Sequence, residues 1–214
     1  MRLQQLFRFA LMVALVAAVP WTVAAQTTIE VGPLLAVYAP VGAFATPDLY
    51  STNLPTAPSD LGGVAWGGEG RLWFAPRLGV QVQGAVSASH LVGGGMTPIG
   101  LLPPKDAHVV TVTAQVLFRP LPKILPAWLS AGVGFVRRGG HAYAGLSALT
   151  SLAVALGAGF DLHVAGPLTA SFGLTTLLYS LSVQFQPGPG STIERGFQVD
   201  LLPYVSLAWR SRLE

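Results

Sequence analysis

Along most of this chain the side chains change character at every second residue, and that alternation constrains the fold more than any other feature. Between Leu78 and His90, Val80, Val82, Val86 and Ala88 fall on one face, while Gln81, Gln83, Ser87 and Ser89 fall on the other. The stretch from His108 to Phe118 does the same, with Val110, Val112, Val116 and Phe118 set against Thr111, Thr113 and Gln115. Successive side chains of a β-strand point to opposite faces, whereas a helix would scatter both sets around its axis. A period of two, sustained this long, is a strand signal.

Eight segments carry the pattern: about Ile29–Pro40, Val64–Phe74, Leu78–His90, His108–Phe118, Ala127–Val136, Leu152–Leu162, Leu168–Ser180 and Phe197–Trp209. Short breaks at Pro76-Arg77, Arg119–Pro126 and Gly166-Pro167 alternate with longer ones rich in Gly, Pro and Ser. Composition says what surrounds these strands. Only 10% of residues are charged and 51% are hydrophobic, where a soluble domain carries about 25% charged residues. A surface so poor in charge needs a solvent other than water. Strands cross a bilayer only when every backbone donor and acceptor is paired, so the sheet has to close on itself.

The expectation is an all-β fold, an eight-stranded antiparallel up-and-down transmembrane β-barrel, with lipid outside and a polar lumen within. The alternating breaks place both termini in the periplasm and the long loops, 41–60, 92–106, 139–150 and 186–195, outside the cell. On that orientation Phe74, Phe118, Phe160, Phe172 and Trp209 fall near the periplasmic strand ends, and Trp66, Phe135 and Phe197 near the outer ends. Two aromatic girdles emerge, as expected where rings sit at headgroup level. Transmembrane helices are the competing reading, since Ala142–Phe160 and Leu168–Ile193 lack formal charge and are long enough. Polar residues at alternate positions and abundant Gly and Thr argue against them.

Met1 to Ala25 has the tripartite form of a cleaved secretory signal. Arg2 and Arg8 precede the apolar stretch Phe9–Val19, Pro20 breaks it, and Val23-Ala24-Ala25 supplies small residues before Gln26. Residues 26–214 are then expected to form one barrel domain. The absence of cysteine excludes a lipid-modified cysteine anchor and any disulfide. Without Arg2 and Arg8, ten basic residues face nine acidic ones, so no basic face and no nucleic-acid partner is expected.

In architecture and patterning, over the whole of residues 26–214, the chain resembles the small outer-membrane β-barrel superfamily that holds the OmpA, OmpX and OmpW types. Val205-Ser206-Leu207-Ala208-Trp209 resembles the terminal strand signal that the barrel-assembly machinery reads in such proteins. The family's closing aromatic is usually the last residue; here Arg210 to Glu214 follow it. The resemblance implies an integral protein of the outer membrane, inserted by that machinery. Its partners would be outer-membrane lipids and lipopolysaccharide, and it would be a monomer.

The lumen of an eight-stranded barrel is just wide enough to be filled by side chains. By parity Glu30, Glu69, Arg71 and Asp200 point into it from strands that become neighbours on closure. A buried acid without a partner is costly, so an ion pair is expected, with Arg71 and Glu30 meeting near the periplasmic end. The plain reading of this cluster is a structural plug that fixes strand register; the sharper one is a gated proton or ion path. Most other inward positions read as Gly, Ala, Ser or Thr, which would leave room for water. Pro33 and Pro203 each remove a ladder hydrogen bond on the first and last strands, so a bulge or distortion is expected at that seam.

No catalytic, metal or cofactor set emerges. His90, His108 and His141 lie near the outer loops without a carboxylate or thiolate to complete a metal site. Ser89 and His90, the one adjacent Ser/His pair, point to opposite faces, which disfavours the lipid A-modifying chemistry found in some family members. Gly93-Gly94-Gly95 precedes no helix and gives no phosphate cradle. The expected role is structural or surface-interactive: envelope integrity, or adhesion through the loops. The alternatives are a porin-like channel for small solutes or a transporter of hydrophobic molecules, and, third, a lipid-modifying enzyme.

Overall fold

The computed structural model describes residues 27–41, 59–92, 96–97, 100–101, 105–122, 124–140, 146–147, 150–185 and 193–213; the expected export signal at 1–25 lies outside them. Eight long strands appear in chain order. They are β1 (Thr27–Val41), β2 (Gly63–Trp73), β3 (Leu78–Val92), β4 (Lys105–Phe118), β5 (Ala127–Gly139), β6 (Thr150–Ala165), β7 (Leu168–Phe185) and β8 (Ile193–Leu213). Each pairs antiparallel with its chain neighbour, and β8 returns to pair with β1, with Thr27 opposite Leu213 and Val41 opposite Val199. The sheet is a closed barrel. No helix among the described residues is long and apolar enough to cross a membrane; the stretches weighed as helices are strand wherever they are described.

Alternation survives as a division of environments. Along β3, Gln81, Gln83, Ala85 and Ser87 are buried in the lumen, while Val80 and Val82 face out, Val82 with 56% of its surface exposed. Along β6, Ser151, Ala153, Ala155 and Asp161 point in, while Leu152, Val154, Leu156 and Phe160 point out. The exposed large side chains on the wall are Val, Leu, Phe and Trp, a surface that only hydrocarbon solvates. The outward Phe118, Phe160, Phe172 and Trp209 ring the end that carries the termini and the short turns, named periplasmic after the expected orientation; Trp66, Phe135 and Phe197 ring the other. Phe160 and Phe172, cross-strand partners, stack with centroids 5.1 Å apart.

Strand existence matches the sequence reading, but the outer ends run further: β7 continues to Phe185 and β8 begins at Ile193. Beyond the bilayer both faces of a strand meet water, so the apolar alternation that marks a strand disappears while its hydrogen bonds continue. Shorter pieces add to this outer rim: Ser59–Leu61 pairs with β3, Leu146–Ser147 pairs with β7, and Met96–Thr97 forms a small ribbon with Gly100–Leu101. On the periplasmic side the joins are tight. Ala75 and Leu78 exchange backbone bonds of 3.2 and 3.3 Å around Pro76-Arg77, and Gly166 takes φ 53°, a conformation that costs glycine least.

Of the bulge or distortion expected at the seam, the second is found. No bulge occurs there: Val31 faces Trp209, Leu34 faces Ser206 and Ala39 faces Leu201 in one unbroken register. The ladder instead lapses twice, at Gly32–Pro33 and at Val37–Tyr38, the latter opposite Pro203, while each proline keeps its place in the register with its other neighbour. Each proline thus points its missing donor at the seam. Gly32 lets β8 draw close, since a Cβ there would strike the Leu207 carbonyl. The register shift that does occur lies between His163 and Ala165, beside the Gly166 turn.

A lipid-facing charge measures this arrangement. Val112, outward and halfway along β4, is expected to lower unfolding stability in lipid vesicles by about 2–4 kcal/mol when replaced by Arg, the cost at a bilayer midplane. Denaturant titration that found V112R neutral would place that face away from lipid.

Candidate functional site

Concentrating charged and polar groups as it does, the lumen is where any chemistry would reside. Three levels of contact cross it. At the periplasmic level Arg71, on β2, is buried and fully surrounded. Its guanidinium donates to Asp161 (2.8 Å), Ser171 (3.0 Å), Glu69 (3.0 Å) and the Tyr204 hydroxyl (3.2 Å). The same group lies 4.8 Å from the Trp128 ring centroid. Asp161 also accepts from Arg119 (2.6 Å), Trp128 (3.1 Å) and Ser171 (2.8 Å). Glu69 accepts from Gln81 at 3.1 Å and from Ser206. Glu30 lies 3.9 Å from Arg71 and bonds more closely to Arg210, its cross-strand partner, at 2.5 and 2.8 Å. Glu30, Glu69 and Asp161 are thereby matched by Arg71, Arg119 and Arg210.

The middle level is neutral. Thr175 donates to Gln83 at 3.2 Å, Gln115 to Thr113 at 3.0 Å, and Ser130 to Gln115 at 2.6 Å. At the outer level Asp200 accepts from Tyr179 (2.5 Å), Tyr38 (2.9 Å) and Arg138 (3.3 Å) through one oxygen, and from Gln198 (3.3 Å) through the other. Arg138 also donates to both tyrosine hydroxyls. The structure therefore brings Glu30, Glu69 and Arg71 together as parity suggests, but sets Asp200 apart. It lies six residues before Ser206 on β8, about 20 Å away along a strand.

Several members of these sets escape a sequence reading. Asp161 and Arg138 reach their partners across the lumen from β6 and β5, and their parity shows only that they point inward. The small inward positions that parity indicates are interspersed with large side chains. Trp73, Trp128, Tyr38, Tyr179, Tyr204, Leu117 and Leu177 are all buried there, and the glycines make their room. A Cβ on Gly173 would collide with the Tyr204 ring, and one on Gly159 with the Trp128 indole. Aromatic rings lying over glycine take part of the space expected for water. Two concavities of about 880 and 380 Å³ are lined mostly by outward residues, among them Leu35, Phe172, Pro203 and Val205 in the larger one. They are depressions in the lipid-facing wall.

Of the candidate metal and nucleophile residues, His108 is exposed. His141, Gly93-Gly94-Gly95 and the side chains of Ser89 and His90 lie outside the described residues. Among those described, no group of three or more His, Asp or Glu has the arrangement to hold a metal ion.

Removing Arg71 leaves Glu69 and Asp161 without the cation they share. Arg71→Met is expected to cost about 3–5 kcal/mol of unfolding free energy in lipid vesicles, as for a buried pair broken on one side. Asp200→Asn should act separately, because the two sets share no residue. The double variant should then equal the sum of the singles within about 0.5 kcal/mol, and a larger coupling energy would make the lumen one network.

Solved structures match this architecture. The outer membrane protein OprG from Pseudomonas aeruginosa superposes with a TM-score of 0.57 at 14% identity, covering 88% of this chain and 95% of that one. The outer membrane protein AlkL, solved in DMPC lipid bilayers, superposes with a TM-score of 0.56 at 14% identity, covering 88% and 92%. No family model and no curated protein matches the chain. With its closed ladder, apolar wall and polar lumen, the chain has the fold of these outer-membrane proteins, an eight-stranded antiparallel transmembrane β-barrel.

Proposed function

We propose that this protein serves the outer membrane as a non-conducting, non-catalytic barrel with a structural or surface-interactive role, its inward charges acting as a plug that fixes strand register. One observation carries this reading. Buried side chains meet across the lumen at three heights, and at the periplasmic level three carboxylates are matched by three guanidiniums. A solute crossing the lumen would have to part these contacts, and a buried charge deprived of its partner costs several kcal/mol. The rigid wall then displays the outer loops, the usual site of binding on such a scaffold. Those loops, at 41–60, 92–106, 139–150 and 186–195, lie largely outside the described residues. As further proposals, the barrel is a monomer in contact with outer-membrane lipids and lipopolysaccharide, and the barrel-assembly machinery inserts it.

The reading predicts that protein reconstituted in planar bilayers at physiological salt shows no stepwise single-channel current. Arg71→Ala, by opening the periplasmic level, is expected to introduce small or noisy conductance. Sustained unitary currents from the unmodified protein would overturn the plug and favour the channel reading.

The wall depression beside Pro203 favours a second reading, in which a hydrophobic molecule lodges against the barrel and is passed along it. It predicts faster uptake of an apolar dye by cells making the protein than by cells lacking it. Equal rates would remove it.

A further inference from the structure

Charges at the rims are shared unequally between the two ends of the barrel. At the periplasmic end the turns and strand ends carry Arg77, Arg119, Arg210 and Arg212, with His163 beside them. The carboxylates nearest that end, Glu30, Glu69 and Asp161, are buried and already matched by Arg71, Arg119 and Arg210. Arg77 and Arg212 are exposed, and among the described residues no carboxylate pairs with either. In sequence, Lys123 adds a further cation to the same side, against Glu214 as the last acid. At the outer end Lys105, Arg137 and Arg195 are offset in sequence by Asp48, Asp60, Asp106 and Glu194. A nearly neutral barrel thus has one cationic rim, which total charge conceals because the acids of that half have turned inward.

The height of these arginines identifies what they meet. Arg119 directly follows the girdle residue Phe118, Arg210 follows Trp209, and Arg77 lies three residues after Phe74. Arg210 donates its backbone N–H to Pro167, where β7 begins, yet β8 continues as a ribbon with β1, Ser211 opposite Ile29 and Leu213 opposite Thr27. That ribbon carries Arg212 just past the girdle. Aromatic girdles lie at headgroup depth, so the exposed Arg77 and Arg212 stand at the level of lipid phosphates, which guanidiniums bind through paired N–H donors.

We propose that the periplasmic rim is a collar for anionic phospholipid headgroups of the inner leaflet, with Arg77 and Arg212 as its uncompensated cations. A soluble anionic polymer of the cell wall would also meet these charges. The leaflet fits better because the arginines stand on separate strand ends at one depth, around a wall already bathed in lipid.

Two tryptophans at opposite ends make the test internal. Trp209 marks the periplasmic girdle and Trp66 the outer one, and both are exposed to lipid. Protein purified from outer membranes is reconstituted in phosphatidylcholine containing a minor fraction of brominated phosphatidylglycerol or brominated phosphatidylcholine. Quenching is read in W66F, where Trp209 is the lipid-exposed reporter, and in W209F, where Trp66 is; the lumenal Trp73 and Trp128, shielded from lipid, give both variants the same background. Trp209 is expected to prefer phosphatidylglycerol by about fivefold for each arginine engaged, and Trp66 to show little preference. Arg77→Gln with Arg212→Gln should bring the ratio at Trp209 close to one while the barrel keeps its heat-dependent gel mobility. Equal quenching by the two lipids at Trp209, or a preference unchanged in the double variant, overturns the proposal. So does sedimentation with peptidoglycan that depends on the two arginines when no lipid preference is seen.

Discussion

Inside hydrocarbon an amide without a hydrogen-bond partner costs several kcal/mol, and no water is present to supply one. The wall of this protein meets that demand with strands. The pairing of β8 with β1 removes the two edges that an open sheet would leave in lipid. The same pairing holds Pro33, Pro40 and Pro203, so the ladder is thinnest where closure is made. It holds because Pro33 and Pro203 interrupt hydrogen bonds without shifting register, and because Gly32 lets the β8 backbone approach.

Closure with eight strands fixes the lumen at about the width of meeting side chains. That width turns charges into partners. Arg71 on β2 reaches Asp161 on β6 because the lumen is narrow enough to be spanned by two side chains. The rings of Trp128 and Tyr204 fill the remaining section, each lying over a glycine on the neighbouring strand. Large and small residues thus alternate around the wall as they do in a packed core.

The wall was legible in the sequence because a lipid exterior demands an apolar residue at every second position and tolerates few exceptions. All eight strands, the short periplasmic turns and both girdles are written in that alternation. The lumen was legible only by halves. Parity says that Glu30, Glu69, Arg71, Asp161 and Arg138 point inward, yet it is silent on height. Pairing across the lumen depends on the stagger accumulated around the barrel, which no single strand records. Asp200 illustrates the gap: adjacency of strands put it with Arg71, but its height gives it to Arg138, Tyr38 and Tyr179. The outer strand ends were missed for a related reason, since hydrogen bonding persists there after the contrast between lipid and lumen has ended.

That contrast also explains why charge is retained in so small an interior. A barrel apolar on both faces would lose little by slipping one strand a residue past its neighbour. Here a slip of one residue on β2 would carry Glu69 and Arg71 to the lipid side and bring Gly70 and Leu72 into the lumen. The cost would be that of carrying both charges into hydrocarbon and leaving their former partners buried without them. A buried ion network is weak evidence for stability when compared with a well-packed apolar core. Against a slipped register it is strong, because the penalty falls on the wrong arrangement rather than rewarding the right one.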